Sequence, residues 1–176
     1  MNPLSRRVVE TIFATAHRFS FVLIAVSTWS LAVVAAQESR GFGETDKLAI
    51  EQMFDRYVEA FVQKDYPKLL EFVEAPFLVM QGDLRSLNST DAVLAFYREI
   101  RQNLDQRGFD HGDIVGKRII PLAADRALLN TAYRRYNKNG SLLEERASIY
   151  LVTKSSGTWK LRSVVNQDLQ YFGKVY

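Results

Sequence analysis

Between residues 45 and 63, Leu48, Ile50, Phe54, Tyr57, Val58 and Phe61 recur at helical spacing, with Glu51, Asp55, Arg56, Glu59 and Gln63 on the opposite side. The spacing predicts an amphipathic helix capped by Thr45 or Asp46. Asp65 then caps a short second helix, with Pro67 in the first turn, Leu69, Leu70 and Phe72 on its apolar side, and Pro76 at its end. A brief apolar strand over 77–80 closes at Gly82-Asp83. Asn88-Ser89-Thr90-Asp91 opens a third helix, whose buried stripe is Val93, Phe96, Tyr97, Ile100 and Leu104 and whose stop is Gly108. Beyond it the period shortens to that of strands, over 114–122, 126–137, 142–153 and 159–167. Helices first and antiparallel strands afterwards predict an α+β domain.

Turn chemistry sets the expected register. Asn139-Gly140 is a two-residue hairpin signal, and counting outward from it places Arg135 opposite Glu144 and Arg134 opposite Glu145. Taking Ser155-Ser156-Gly157 as the next loop places Trp159 opposite Thr153. One sheet face then carries Leu128, Asn130, Ala132, Ala147, Ile149, Trp159, Leu161 and Ser163, and the helices are expected to cover it. Leu129, Tyr133 and Tyr150 fall on the other face, an expected homodimer surface. A single bulge inverts this assignment locally.

Residues 19–36 are uncharged, follow Arg6, Arg7 and Arg18, and end in Val34-Ala35-Ala36. That describes a secretory signal peptide (1–36) cleaved before Gln37, a flexible linker over 37–44 and a domain over 45–176, in the periplasm or secreted. The alternative is an uncleaved membrane anchor over 19–36, since a run of about 18 apolar residues is near the lower limit for a span. Without the leader's three basic and one acidic residues the chain holds 20 basic against 19 acidic side chains, so charge gives no support for nucleic-acid binding. With the leader gone, no membrane association is expected. No cysteine is present, and His111 is the one histidine beyond the leader, so neither a disulfide, a thiolate zinc site nor a histidine-rich metal site is expected. No cofactor is implied.

Phe54-x-x-Tyr57-Val58-x-Ala60-Phe61-x-x-x-Asp65, Phe72, Pro76-Phe77, Phe96-Tyr97 and the ending Arg146-x-Ser148-x-Tyr150…Gly157-x-Trp159-Lys160-Leu161 resemble the nuclear-transport-factor-2-like superfamily. Ketosteroid isomerases and SnoaL-type cyclases share this cone-shaped fold. The resemblance spans about residues 46–167 and implies helices packed on a strongly curved antiparallel sheet. Tyr57 matches the oxyanion-donating tyrosine of the isomerases, but Met80 stands roughly where their carboxylate base belongs, and Ala147-Ser148-Ile149 replaces the protonated acid. An oxyanion donor without a base does not abstract a proton. The paired histidines of dehydratases of this fold are missing too, as is the Asp-Arg-Asp cluster of its epoxide hydrolases.

Two function classes remain. In one, the cone binds a small apolar or amphipathic neutral ligand, with Tyr57, Phe61, Met80, Phe96, Asn130, Trp159 and Ser163 as candidate ligand-binding residues and no complete catalytic set. In the other, aromatic side chains fill the cone of a homodimeric accessory module. Lyase or isomerase chemistry of the ketosteroid-isomerase type is a further alternative.

Overall fold

The computed structural model describes residues 41–174, so the expected signal peptide and the first half of the linker (37–40) lie outside the described residues. Helix α1 is Glu44–Gln63; its N-cap is Gly43 rather than Thr45 or Asp46. Asp46 still serves the helix start, because its carboxylate accepts from the Gly43 amide at 3.2 Å. Ile50, Met53, Phe54, Tyr57, Ala60 and Phe61 form its buried stripe, while Leu48 is exposed. Lys64, at φ 61°, ends the helix. Asp65 caps α2 (Tyr66–Leu70) by accepting from the Lys68 amide at 3.1 Å. After β1 (Val73–Met80) and β2 (Leu84–Leu87) comes α3 (Thr90–Gln106), capped by Ser89 Oγ, which accepts from the Ala92 amide at 3.2 Å.

Strands β3 (Phe109–Ala123), β4 (Arg126–Asn137), β5 (Leu142–Ser155) and β6 (Thr158–Gln167) follow, then a single 3-10 turn over Leu169–Tyr171. The six strands form one sheet in the order β2-β1-β6-β5-β4-β3, with β1 parallel to β6 and every other pair antiparallel. The short strand expected at 77–80 thus extends back through Pro76 and gains a hairpin partner, and β3 begins five residues before the expected 114.

The β4–β5 hairpin has the expected register: Arg135 pairs with Glu144 and Arg134 with Glu145. The β5–β6 hairpin does not. Ser155 pairs with Thr158, so the loop is the two residues Ser156 and Gly157, at φ 49° and 82°. Two successive left-handed residues give the turn whose twist matches paired strands. Trp159 therefore sits opposite Lys154 instead of Thr153, and Leu161 opposite Val152. A bulge follows, since Ser163 pairs with Leu151, and Ser163 Oγ accepts from the Leu151 amide at 3.3 Å at that irregularity.

One residue of slip exchanges the two faces of a sheet. The helices cover Leu129, Thr131, Tyr150, Val152, Trp159, Leu161 and Val164, all buried, and Phe54 packs edge-on against Tyr150 with ring centres 5.2 Å apart. The expected faces are thereby reversed on β4 and β5. Asn130 alternates with Leu129 and Thr131 and so lies on the face turned away from the helices. Leu129 and Tyr150, expected on a homodimer surface, are core residues, and that expectation loses the face on which it was built. On the outer face the chain's end returns over β3: a Cβ at Gly116 would meet the Phe172 ring at 2.5 Å, and Arg118 donates to the Gly173 carbonyl at 3.0 Å. Gly116 pairs with Ala132, beside the row holding Asn130.

Candidate functional site

Three inward-facing rows of the sheet climb from the core to solvent. Thr131 pairs with Ser148, both buried; Tyr133 pairs with the exposed Arg146; Arg135 pairs with Glu144 and with Gly112 of β3. The helices α1 and α3 pass over these rows and leave a cavity of about 70 Å³. Phe54, Tyr57, Val58 and Phe61 of α1 and Phe96, Tyr97 and Ile100 of α3 form its roof. Phe109, Ile114, Tyr133, Arg135, Ser148, Tyr150 and Val164 form its floor and walls. Gln81 and Arg134, both exposed, mark where it meets solvent.

Three buried phenols meet inside. The Tyr57 hydroxyl donates to the Tyr97 hydroxyl at 3.1 Å, and Tyr150 faces Tyr57 with ring centres 6.2 Å apart. Burial pushes the pKa of all three upward, and the neighbouring phenols add to the rise. They stay protonated and serve as hydrogen-bond donors at neutral pH. Spacing on the helices explains their convergence. Tyr57 lies one turn from Phe54 and Phe61, while Tyr97 follows Phe96 on the buried side of α3.

The rim carries charge. Glu144 is contacted by Arg135, by Arg107 at 2.8 Å and by Arg146 at 3.7 Å. Burial raises its pKa, but the hydrogen bond from Arg107 and the adjoining Arg135 charge outweigh that and hold it below the usual carboxylate range. The Arg135 guanidinium lies 4.8 Å from the Tyr133 ring centre and 5.7 Å from that of Phe61, so two aromatic faces fix its plane. Arg134 pairs with Glu145 at 2.9 Å on the opposite side of the strand.

Of the seven residues singled out in the sequence, the structure brings Tyr57, Phe61 and Phe96 to the cavity. Met80 is 42% exposed and yields its place to Gln81. Asn130 is on the outer face, and Ser163 is engaged at the β6 bulge. Trp159 lies at the other end of α1, where its indole N–H donates to Asp46 at 3.3 Å and its ring meets Phe42 edge-on at 5.8 Å. Asp46 is roughly 16 Å along the helix from Tyr57, at about 1.5 Å per residue.

Tyr97 was visible in the apolar stripe of α3 but not as a site residue. Tyr133 and Tyr150, expected on the outer face, line the cavity together with Arg135 and Ser148. Asp110 and His111 form an exposed contact of 2.9 Å, with His111 stacked on Tyr136. Among the described residues no carboxylate or imidazole lines the cavity; its polar lining is the neutral phenols, Ser148, Gln81 and the two arginines Arg134 and Arg135.

The family model described as NTF2-like protein (DUF6841) matches residues 44–169. No curated protein matches the chain. Among solved structures, an NTF2-like protein of unknown function from Shewanella oneidensis is 19% identical, with a TM-score of 0.57 over 72% of this chain and 100% of that one. A cystatin-like protein of unknown function from Nostoc punctiforme is 15% identical, with a TM-score of 0.59 over 71% and 92% of the two chains. A ketosteroid isomerase-like protein from Erwinia carotovora atroseptica is 20% identical, with a TM-score of 0.50 over 69% and 95%. At these identities the likeness is one of fold.

Proposed function

The chain belongs to the NTF2-like family, whose model spans residues 44–169, and we propose that its domain binds a small, mostly apolar ligand bearing a carbonyl or hydroxyl oxygen. The observation that carries this reading is the cavity of about 70 Å³, whose apolar walls meet three buried phenols. A few polar anchors in an apolar space are the usual make-up of a ligand site. The anchors differ from those in the sequence reading: Tyr97 and Tyr150 take the places given to Asn130 and Ser163. The site binds without catalysis, because no group in position to abstract a proton accompanies the phenolic donors. The modest volume favours the filled-cone accessory module as the second reading.

The protein acts outside the cytoplasm after cleavage behind Ala36, a proposal supported by the uncharged run 19–36. Native mass spectrometry of the protein from its own host reads both claims. The expected mass lacks residues 1–36 and carries a small molecule that Tyr97→Phe retains several-fold less well. A neutral hydrogen bond contributes about 1 kcal/mol, which sets that factor. An intact leader would overturn the cleavage proposal, and a ligand-free protein the binding one.

A further inference from the structure

We infer that the ligand is an anion, a short carboxylic acid whose hydrocarbon end enters the phenol-lined cavity while its carboxylate rests on the arginines of the rim. This rests on the ligand-binding reading above and adds a negative charge to it, where the sequence alone had pointed to a neutral molecule.

The rim has an excess of positive charge. Three guanidiniums, those of Arg107, Arg135 and Arg146, converge on the single carboxylate of Glu144. The neighbouring acids are occupied elsewhere. Glu145 pairs with Arg134 across the strand, and Asp105 takes both Lys64 at 2.7 Å and Arg101 at 3.0 Å. Both Glu144 oxygens are already in use, Oε1 by Arg135 and Oε2 by Arg107. One carboxylate against three guanidiniums leaves the cluster net positive.

Arg135 is built to receive a second carboxylate. It lines the cavity, and its plane is set by the Tyr133 and Phe61 rings before any ligand arrives. Its fork carries five N–H donors, and Glu144 engages it through Nη1. A planar fork of this kind matches a carboxylate, with charge-assisted bonds about twice as strong as neutral ones. Arg146 stands 3.7 Å from Glu144, beyond hydrogen-bond distance, and its side chain is 56% exposed. Only charge holds it there, so it is able to turn to an arriving anion.

Size limits the hydrocarbon. The cavity of about 70 Å³ is about half of the ~150 Å³ that encloses benzene, so the enclosed part is a chain of roughly three or four carbons. An oxo group at its inner end would meet the phenols. 4-Oxopentanoate has both features, and its primary amide is the matching uncharged probe.

Calorimetric titration of the full-length protein with the acid and the amide tests the inference. The acid is expected to bind about tenfold more tightly at low salt, since a charge-assisted contact replaces a neutral one. High salt should shrink that ratio. The exposed position of Arg146 makes Arg146→Gln the variant least able to disturb folding, and it should weaken the acid several-fold while leaving the amide unchanged. An amide that binds as tightly as the acid, or an Arg146→Gln loss shared equally by both, overturns the anionic ligand and leaves the ligand-binding reading standing. Failure of both probes to bind at millimolar concentration overturns the two together.

Discussion

The two ends of the concave sheet face use similar side chains to opposite effect. Near the start of α1, Trp159 is buried, packs on Phe42, donates to Asp46 and lies beneath the Lys154 ammonium. Near the end of α1, Tyr57, Tyr97 and Tyr150 meet with ring centres about 6 Å apart, and a cavity remains. Each end has aromatic rings and one carboxylate held below its ordinary pKa. Lys154 and the Gly43 amide lower Asp46, and arginines lower Glu144. What separates them is what lies between the rings. Ile50, Leu129, Val152 and Leu161 fill the gaps along the buried sheet with aliphatic volume, whereas at the open end the phenols turn their hydroxyls toward one another.

The largest expected effect falls on the filled end. Trp159→Ala removes a nearly buried indole and its hydrogen bond, and should cost about 3–5 kcal/mol in urea unfolding. A loss below about 1 kcal/mol would show that this end is not the packed one.

The phenols should then set the alkaline limit of stability. Their folded pKa values are raised, so the stability they contribute is fully present below the unfolded value of about 10 and is lost as pH rises through the folded values. In a phenolate-absorbance titration, Tyr57, Tyr97 and Tyr150 should ionise only together with unfolding. Ionisation of these three in the folded state would break the contrast between the ends.

The smallest effect is a slope. Glu144 has a depressed folded pKa, so its contribution is present above the unfolded value of about 4.3 and lost as pH falls through the folded one. Glu144→Gln should flatten the acid limb of a stability-versus-pH curve, and Asp46→Asn should do the same from the other end. An unchanged acid limb in Glu144→Gln would mean that the rim arginines do not hold this carboxylate in its charged form.

The elements were largely legible along the chain. The helical stripe of Phe54, Tyr57 and Phe61 placed α1 correctly, and Val93, Phe96 and Tyr97 placed α3. Asn139-Gly140 fixed the β4–β5 register, because its geometry leaves little choice and two charge pairs agree with it. The β1–β2 hairpin was harder to see. Leu78, Met80 and Leu84 are exposed apolar residues on it, and they read as core in an isolated strand.

The site was less legible, for one physical reason. Ser155-Ser156-Gly157 has the composition of a loop of either two or three residues. The choice depends on whether Ser156 accepts a left-handed conformation, at φ 49°. Local preference disfavours that for a serine, but the shorter loop is the one that buries Trp159, Leu161 and Tyr150 against the helices. Periodicity, turn chemistry and charge pairing act between near neighbours, so the sequence by itself determined the helices, the run of strands β3 to β6 and the β4–β5 hairpin, but neither β2 nor the parallel pairing of β1 with β6. Which face of β4, β5 and β6 meets the helices depended on burial summed over three strands and two helices at once. That sum, which exists only in the folded chain, placed Tyr133, Arg135 and Tyr150 inside and Asn130 outside.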